Sequence, residues 1–329
     1  MPATITAIAH YYPEDKLTNK YFESYLETSD EWIRTRTGIN ERRIMKNGAT
    51  SDMIVPAALK CIENAGIDKQ EIDCIIVATV TPDYMYPSTA AVVQHKLGIN
   101  NVWGFDISAA CSGFLFALKT AASLVESGSA KKVLLCGADK MTSILNMNDR
   151  NTAILFGDAA GVCLIEKSND DNSGIIDSIL HIDGVGGQYL NQKAGGSAKP
   201  ASLETVENNE HTVYQDGKTV FKYAVKGMAD VSKEIMEKNN LKSEDVAYLV
   251  PHQANLRIIS ATAERMGVGM DKVMVNIEKY GNTTAATIPL CLSEWLEAGK
   301  LKNGDNLILS SFGAGFTWGS IYLKWNMNK

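Results

Sequence analysis

The sequence of 329 residues lacks several patterns that would assign a protein to a class at once. It has no block of Lys and Arg and its net charge is −6, so a nucleic-acid partner is not expected. No apolar run is long enough to cross a bilayer, so no membrane partner is expected either. The start, MPATITAIAHYYP, lacks the basic residues and the long apolar stretch of a secretion signal, and it is predicted to be a first strand.

The six cysteines are scattered along the chain and form no CxxC pair. The five histidines do not approach them at the spacing of metal ligands, so no metal site is expected. Cys74 and Cys136 lie in strand-like apolar runs, where core packing is the default interpretation. Because nothing indicates a disulfide framework, a reducing, cytoplasmic setting is expected.

What is present is an alternation of strands and helices. DCIIVATV is a continuous apolar strand of the kind buried on both faces. SDMIVPAALKCIENAG is predicted to be a helix that ends at Gly66, and Asn19 and Ser29 are predicted to cap two earlier helices. The glycine-rich stretch 183–202 matches no phosphate loop and is expected to be a surface excursion at the rim of a pocket. The alternation predicts a layered α/β fold.

The second half of the chain repeats the plan of the first. LKSEDVAYLVPHQ mirrors IDKQEIDCIIVATV, and NTTAATIPLCLSEWLEAG mirrors the helix that follows Cys111. Cys111 and Asn282 stand equally far before Gly128 and Gly299, the glycines that end these two helices. We therefore expect Asn282 to occupy in the second half the place of Cys111 in the first. Two related halves, packed sheet on sheet across buried helices, would direct both helix starts at one centre.

Cys111 lies where FDISAACSGFLFALKTAASLVESG turns from a strand into a helix. Unpaired N–H groups at a helix start favour the thiolate, and Gly113 leaves room for a substrate carbonyl. The helix is apolar nearly all round, so its start is expected at the floor of a pocket. The same pattern is also typical of an inert core cysteine.

Three further features accompany this cysteine. His252 follows an apolar strand and Pro251, at a strand exit where sites in α/β proteins form, although a lone histidine is more often structural. Asn282 precedes a helix, where asparagine is also an ordinary N-cap. Gly313 and Gly315 allow a tight turn whose N–H groups face a ligand, or a simple β-turn.

Together these residues suit acyl transfer from a thioester. The thiolate of Cys111 would attack the carbonyl, and the oxyanion would be held by N–H groups of Cys111 and of the 313–315 turn. His252 and Asn282 would hold the enolate that forms when a β-carboxyl-thioester loses carbon dioxide. Neither a metal nor a redox cofactor is needed.

Six stretches, in order along essentially the whole chain, resemble β-ketoacyl-acyl-carrier-protein synthase III of the thiolase superfamily. They are TSDEWIRTRTGINERR at 28–43, DISAACSGF at 106–114, LFGDAAG at 155–161, VPHQANLRI at 250–258, YGNTTAAT at 280–287 and FGAGFTWG at 312–319.

This resemblance implies a homodimer with a thiolase-like, five-layer αβαβα fold made of halves 1–172 and 173–329. It implies the first condensation of fatty-acid synthesis, in which Cys111 takes a short acyl group, such as acetyl, from acyl-CoA. His252 and Asn282 then promote decarboxylation of malonyl-acyl-carrier-protein. The oxyanion is held at Cys111 and Ala314, and the CoA thioester is a substrate, so that no cofactor is implied.

The resemblance also implies roles around this centre. Trp32 and Arg150 would sandwich the CoA adenine and Arg36 would meet the CoA phosphates; without it, Trp32 would be assigned to the core and Arg36 to a solvated face. Arg257 and Lys222 would dock the acidic carrier protein, with Glu264 in place of a frequent lysine. Tyr86 would cross the dimer interface into the partner's acyl pocket, where its bulk suggests a restricted chain.

Four functions are weighed. The first is the condensing enzyme just described, and the second a specialised relative that makes a quinolone, resorcinol or long-chain ketone precursor. The third is a thioester hydrolase, which would have no use for Asn282 beyond capping. The fourth is a catalytically silent carrier-binding protein, which the presence of Cys111, His252 and Asn282 disfavours.

Overall fold

A computed structural model describes residues 1–327 of the chain. Strands and helices alternate as the sequence predicts. The strands are β1 (Ala3–Tyr11), β2 (Lys16–Thr18), β3 (Glu41–Arg43), β4 (Cys74–Ala78), β5 (Trp103–Ile107), β6 (Val133–Lys140), β7 (Asp158–Lys167), β8 (Gly174–Ile182), β9 (Leu190–Gln192), β10 (Val213–Gln215), β11 (Tyr248–Pro251), β12 (Asn306–Gly313) and β13 (Thr317–Lys324).

The helices fill the intervals between the strands. They are α1 (Asn19–Glu23), α2 (Asp30–Thr37), α3 (Thr50–Ala65), α4 (Thr89–Leu97), α5 (Gly113–Ser127), α6 (Leu203–Glu207), α7 (Gly217–Lys238), α8 (Leu256–Met266), α9 (Ile277–Tyr280) and α10 (Thr287–Glu297).

Two sheets of matching topology form the frame. The first has the order β1-β7-β6-β4-β5, and the second has the order β8-β13-β12-β11. In each sheet a parallel pair, β4 with β6 or β11 with β12, continues into antiparallel neighbours. An isolated parallel bridge between Leu249 and Val273 stands where β5 stands in the first sheet. The predicted pseudo-twofold arrangement is present, and each sheet draws on one side of the 172/173 boundary.

Three hydrophobic clusters divide the molecule into layers. The central cluster joins both sheets through α5 and α10, with Phe114, Leu118, Ile288 and Leu292 fully buried. A second cluster packs α3 and α4 on the outer face of the first sheet, and a third packs α7 and α8 on the outer face of the second. The order is therefore helix, sheet, helix, sheet, helix.

The two interior helices begin in the same way. A 3₁₀ turn, Ala110–Ser112, leads into α5, and a 3₁₀ turn, Thr284–Ala286, leads into α10. The first residue of each turn has a left-handed backbone, with φ of 47° at Ala110 and 49° at Thr284. This match pairs Cys111 with Ala285, so the predicted pairing of Cys111 with Asn282 is wrong. Counting back from the terminal glycines failed because α10 has 11 residues and α5 has 15.

The predicted helix starts had different outcomes. Ser29 is confirmed as the N-cap of α2, since its hydroxyl accepts a bond from the Trp32 N–H at 3.1 Å. Asn19 is not a cap: it is the first residue of α1, and its buried amide donates to Asp30 and to the Ile39 carbonyl. Its side-chain oxygen accepts a hydrogen bond from the fully buried guanidinium of Arg42. This contact joins distant segments, so the local sequence around Asn19 does not reveal it.

Candidate active site

A cavity of about 710 Å³ opens between the two halves. Cys111, His252 and Asn282 all line it, and all three are buried. Trp32 and Arg150, which are partly exposed, line it as well and mark its outer end. The structure thus brings together, in one pocket, the three residues that the sequence singles out for chemistry.

Contacts from the second half hold the turn that carries Cys111. The Ser311 hydroxyl donates to the Cys111 carbonyl at 2.8 Å, and the Ser112 hydroxyl donates to the Thr317 carbonyl at 2.9 Å. Gly313 passes so close that a Cβ there would lie 2.7 Å from the Cys111 nitrogen. A side chain at position 313 would displace the turn that carries Cys111, so the close approach requires this glycine.

The thiol of Cys111 is less acidic than its place before a helix suggests. Burial, and secondarily the charge of Asp139, raise its pKa to about 12, although a hydrogen bond with Asn282 acts in the opposite direction. Burial therefore opposes the bias toward thiolate that the helix start predicts. The thiol needs a proton acceptor before it can attack.

His252 lies just beyond the end of β11. Its backbone N–H donates to the Ser310 carbonyl at 2.8 Å, which fixes it to β12, and its Nδ1 lies 2.8 Å from the Thr287 hydroxyl. Within residues 1–327 its buried Nε2 has no hydrogen-bond partner. Burial lowers the pKa of the imidazole to about 3, so the ring is neutral and Nε2 is the nitrogen left for a substrate or for the thiol.

Asn282 is held on both sides by backbone bonds to the segment 155–157. Its N–H donates to the Leu155 carbonyl at 2.9 Å, and its carbonyl accepts from the Gly157 N–H at 3.0 Å. Its side-chain oxygen accepts from the Thr284 N–H at 2.9 Å. Because that oxygen is occupied locally, the amide nitrogen is the group left to donate toward Cys111 and a ligand.

Sequence reasoning missed Asp139, the next-to-last residue of β6, which is fully buried. One carboxylate oxygen accepts from the backbone N–H groups of Val80 and Thr81, at 2.8 and 3.2 Å. The other accepts from the Thr284 hydroxyl and from the Ala285 N–H. Burial raises the pKa of this carboxyl despite these bonds. Its signal in the sequence is an acid that directly follows the apolar strand KKVLLCGA.

Both residues assigned to the oxyanion line this cavity. Ala314 lines the same cavity as Cys111, in the turn between β12 and β13. Leu190, Asn191 and Gln192 complete one wall, so the glycine-rich stretch does reach the rim of the pocket, as predicted.

The residues assigned to CoA form one stack at the outer end. The Arg36 guanidinium lies 4.9 Å and that of Arg150 lies 5.3 Å from the Trp32 ring centroid. Arg150 also donates to the Glu27 carbonyl at 2.7 Å. Trp32 also packs against the hydrophobic cluster that contains Phe22 and Ile33, so the core interpretation made without the resemblance holds in part, while the ring stays partly exposed.

The basic residues assigned to carrier docking lie on α7 and α8. Arg257 is exposed on α8 and its guanidinium lies 4.7 Å from the centroid of Phe221, a cavity residue. Lys222 and Glu264 are exposed on α7 and α8. Lys218, one turn before Lys222, lines the cavity and was missed, although the spacing of the two lysines on one helix was visible.

Tyr86 does not join this cavity within the chain. It is 88% exposed and follows Tyr84 and Met85, which are 61% and 80% exposed.

Within residues 1–327, no cluster of three or more His, Cys, Asp or Glu is placed to hold a metal ion. The helices of that range include none that is long and apolar enough to cross a membrane.

Comparison with known proteins agrees with this geometry. Residues 105–184 match the family model of 3-oxoacyl-[acyl-carrier-protein (ACP)] synthase III, and residues 236–325 match that of its C-terminal part. The β-ketoacyl-[acyl-carrier-protein] synthase III of Chlorobaculum tepidum is 55% identical over 99% of this chain and 100% of its own. That of Koribacter versatilis is 52% identical over 98% of both.

A solved structure supports the fold. The crystal structure of 3-oxoacyl-[acyl-carrier-protein] synthase III from Aquifex aeolicus superposes with a TM-score of 0.91 at 41% identity, covering 98% of this chain and 100% of the other. The predicted thiolase-like five-layer architecture is confirmed. The chain belongs to the 3-oxoacyl-[acyl-carrier-protein] synthase III family of condensing acyltransferases.

Proposed function

We propose that this chain condenses a short acyl-CoA, acetyl-CoA in the first instance, with malonyl-acyl-carrier-protein and releases carbon dioxide. The observation that carries the proposal is the meeting of Cys111, His252 and Asn282 in one buried cavity whose outer end is marked by Trp32 and Arg150. A hydrolase of thioesters would need none of the contacts that orient the Asn282 amide. The acyl-CoA thioester is a substrate, and no resident cofactor takes part.

In the first half-reaction Cys111 becomes acylated. The thiolate sulfur forms a bond to the acyl carbonyl carbon, and the bond from that carbon to the CoA sulfur breaks. The negative oxygen of the tetrahedral intermediate receives hydrogen bonds from the backbone N–H groups of Cys111 and Ala314. The CoA sulfur leaves and is protonated.

In the second half-reaction the malonyl thioester loses carbon dioxide. The electron pair of the broken C–C bond becomes an enolate, whose oxygen accepts a hydrogen bond from the Asn282 amide and a second from His252 when Nε2 carries a proton. The enolate carbon then bonds to the acyl carbon on Cys111, and the C–S bond breaks. The thiolate recovers a proton and the 3-oxoacyl product remains on the carrier.

CoA binding is assigned to the stacked residues at the outer end. A purine inserted between Trp32 and Arg150 would need their 5.3 Å gap to open to about 7 Å, because each contact takes about 3.5 Å. Movement of Arg150 away from the Glu27 carbonyl would provide this opening. Arg36, exposed one turn further along α2, then faces the phosphates.

The carrier protein is assigned to the basic face around Arg257, Lys222 and Lys218. Glu264 reduces the positive charge of that face, so docking should depend more on α7 than on α8. A homodimer is supported by the exposed Tyr84, Met85 and Tyr86 together with β5, an edge strand whose Trp103 is 45% exposed. In that dimer Tyr86 would enter the partner's cavity and limit acyl length.

The test is incubation with acetyl-CoA and malonyl-acyl-carrier-protein, with detection of carbon dioxide, free CoA and 3-oxoacyl product. Condensation in this assay supports the proposal. Free acetate without condensation indicates a hydrolase, and absence of turnover with a panel of straight and branched primers indicates a silent binder. Turnover only with long primers indicates a specialised synthase. A Trp32→Ala variant should raise KM for acyl-CoA about tenfold and leave KM for the malonyl carrier unchanged.

A further inference from the structure

Among residues 1–327, the partner of the His252 Nδ1 is the hydroxyl of Thr287. Thr287 is the first residue of α10, is buried, and places its Oγ1 2.8 Å from Nδ1 of the imidazole. Either of two tautomers of a neutral imidazole would satisfy this contact, so the direction of the hydrogen bond decides which ring nitrogen is free to accept a proton.

The surroundings of Thr287 set that direction. Its hydroxyl has one proton, and it donates this proton to the Thr284 carbonyl at 3.0 Å. Toward His252 it can then only accept, so Nδ1 carries a proton and donates. Nε2 carries the lone pair and lies in the cavity, buried and without a partner in the described range 1–327.

Thr284 is in turn a fixed acceptor. Its left-handed backbone, with φ of 49°, is unusual for a β-branched residue. It is held there by the Asn282 side-chain oxygen on its N–H and by Asp139 on its hydroxyl. The Thr284 carbonyl, which also accepts the backbone N–H of Thr287, thus stays in place as an acceptor for the Thr287 hydroxyl, and this favours donation from Nδ1 of His252 to that hydroxyl.

We propose that Thr287 is a positioning residue that holds the proton of His252 on Nδ1, so that Nε2 accepts the Cys111 proton during acylation. This inference rests on the proposed function. The S–H bond of Cys111 breaks as an N–H bond forms at Nε2. The thiolate attacks the acyl carbon, and CoA leaves as a thiolate that takes a proton from water.

The same arrangement serves the second half-reaction. With a proton on each ring nitrogen, Nδ1 still donates to Thr287, and the new Nε2–H donates to the enolate oxygen. The positive ring has an anion beside it while Cys111 is a thiolate, and again when the malonyl carboxylate binds and becomes the enolate. When the acyl C–S bond breaks, the proton returns from Nε2 to the Cys111 thiolate, which closes the cycle.

The first test is a ¹⁵N NMR spectrum of the ¹⁵N-histidine-labelled wild-type protein at pH 7, with His252 assigned by its loss in a His252→Gln variant. We expect a protonated Nδ1 and an unprotonated Nε2. A spectrum with the proton on Nε2 would overturn the proposal. The tautomer is read from the wild-type protein, and the variant serves only to assign the signals, so the result is independent of which reaction the enzyme catalyses.

The second test compares Thr287→Val, which keeps the shape without the hydroxyl, with Thr287→Ser, which keeps the hydroxyl. We expect Thr287→Val to shift the proton to Nε2 and to slow single-turnover acylation of Cys111 by acetyl-CoA about 10²-fold. Decarboxylation of malonyl-acyl-carrier-protein by acylated protein should fall much less, because Nε2–H can still donate. Thr287→Ser should restore both the tautomer and the rate.

Equal losses in Thr287→Ser and Thr287→Val, or wild-type acylation in Thr287→Val, would show that the hydroxyl has only a structural role. Failure of the proposed function gives a different result: the wild-type protein would then form no 3-oxoacyl product at all, while the tautomer would still be read from the spectrum.

Discussion

The two 3₁₀ turns that precede α5 and α10 have the same backbone conformation but carry different side chains. In the first half the turn carries Cys111, and in the second it carries Ala285, although both follow a residue with φ near 50° and both lead into a buried helix. The second half supplies its polar groups on either side of its turn, from Asn282 before it and Thr287 after it. The pseudo-twofold symmetry therefore accounts for where α5 and α10 start. The polar residues of the site, by contrast, differ between the two halves.

The strand exits show the same division. The pairings of Ala78 with Gly137 and of Pro251 with Ser310 place Thr79 and His252 at equivalent positions. Thr79 donates to the buried Asp139, whereas His252 faces the cavity. After β4, Thr79 supports Asp139 by a hydrogen bond, whereas after β11 His252 lines the cavity itself.

The equivalent strands β6 and β12 differ in how closely they are approached. The Ala285 carbonyl lies 2.5 Å from where a Cβ of Gly137 would stand, so this strand needs glycine where α10 begins. The equivalent Ser310 instead receives a hydrogen bond from Ser232 on α7, at 2.7 Å.

The largest expected effect comes from moving the cysteine from position 111 to the equivalent position 285 of the second half. Cys111→Ala should abolish acyl-enzyme formation and lower turnover by at least about 10⁴-fold. Adding Ala285→Cys should restore nothing, because position 285 is packed against Gly113 and Gly137. Intact-protein mass spectrometry after acetyl-CoA treatment measures this. Acylation at position 285 would mean that the two turns are chemically interchangeable.

The next effect concerns the carboxylate that joins the two turns. Asp139→Asn should destabilise the protein by about 3 kcal/mol. Both oxygens of Asp139 accept hydrogen bonds, so in either orientation of the amide its NH₂ group would point at hydrogen-bond donors. The matched control is Asp177→Asn, a partly exposed acid that pairs with Lys238, for which a change below about 1 kcal/mol is expected. Urea unfolding measures both. Equal effects would remove Asp139 from its central role.

A smaller effect is expected from adding a side chain where Gly137 of β6 contacts the backbone of Ala285. Gly137→Ala should cost about 1–3 kcal/mol, because its Cβ would meet backbone that cannot move away. Gly187→Ala is the control, since its Cβ would meet nothing within 4 Å. Thermal unfolding of the two variants gives the comparison, and a harmless Gly137→Ala would show that α10 can shift away from the first sheet.

The last prediction concerns His252 and acid. Its folded-state pKa is lowered to about 3 from an ordinary 6.5, so the unfolded chain binds a proton that the folded chain refuses. The stabilising contribution is present above pH 6.5 and is lost as pH falls, by about 1.4 kcal/mol per pH unit. In His252→Gln this loss should be missing, so the variant should approach wild-type stability between pH 6 and 4. Parallel stability curves would contradict this.

Much of this structure could be predicted from the sequence. Apolar runs and terminal glycines predicted the strands and most helices, and positions at strand and helix ends pointed to Cys111, His252 and Asn282, which the structure places in one cavity. These signals are local, because each residue reports on its own element. The exact pairing of the two turns is not local, and it was not predicted.

What the sequence did not reveal depends on contacts between distant segments. Asp139 is an unremarked strand-end acid until Thr284 and Ala285 arrive from the other half. Thr287 is an ordinary helix-start residue until His252 lies beside it. The pKa of Cys111 depends on burial by both halves, which opposes the effect of its own helix.

The packing of α10 also limits how the molecule can be divided. Ile288, Cys291 and Leu292 lie in one cluster with Ile5 and Ile165 of the first sheet, so part of the core of each half belongs to the other. A chain severed between β7 and β8 would yield two fragments with uncovered interior faces, soluble only when reunited. A single half could fold stably only as a dimer of two copies, in which the interior helix of each copy covers the sheet of the other.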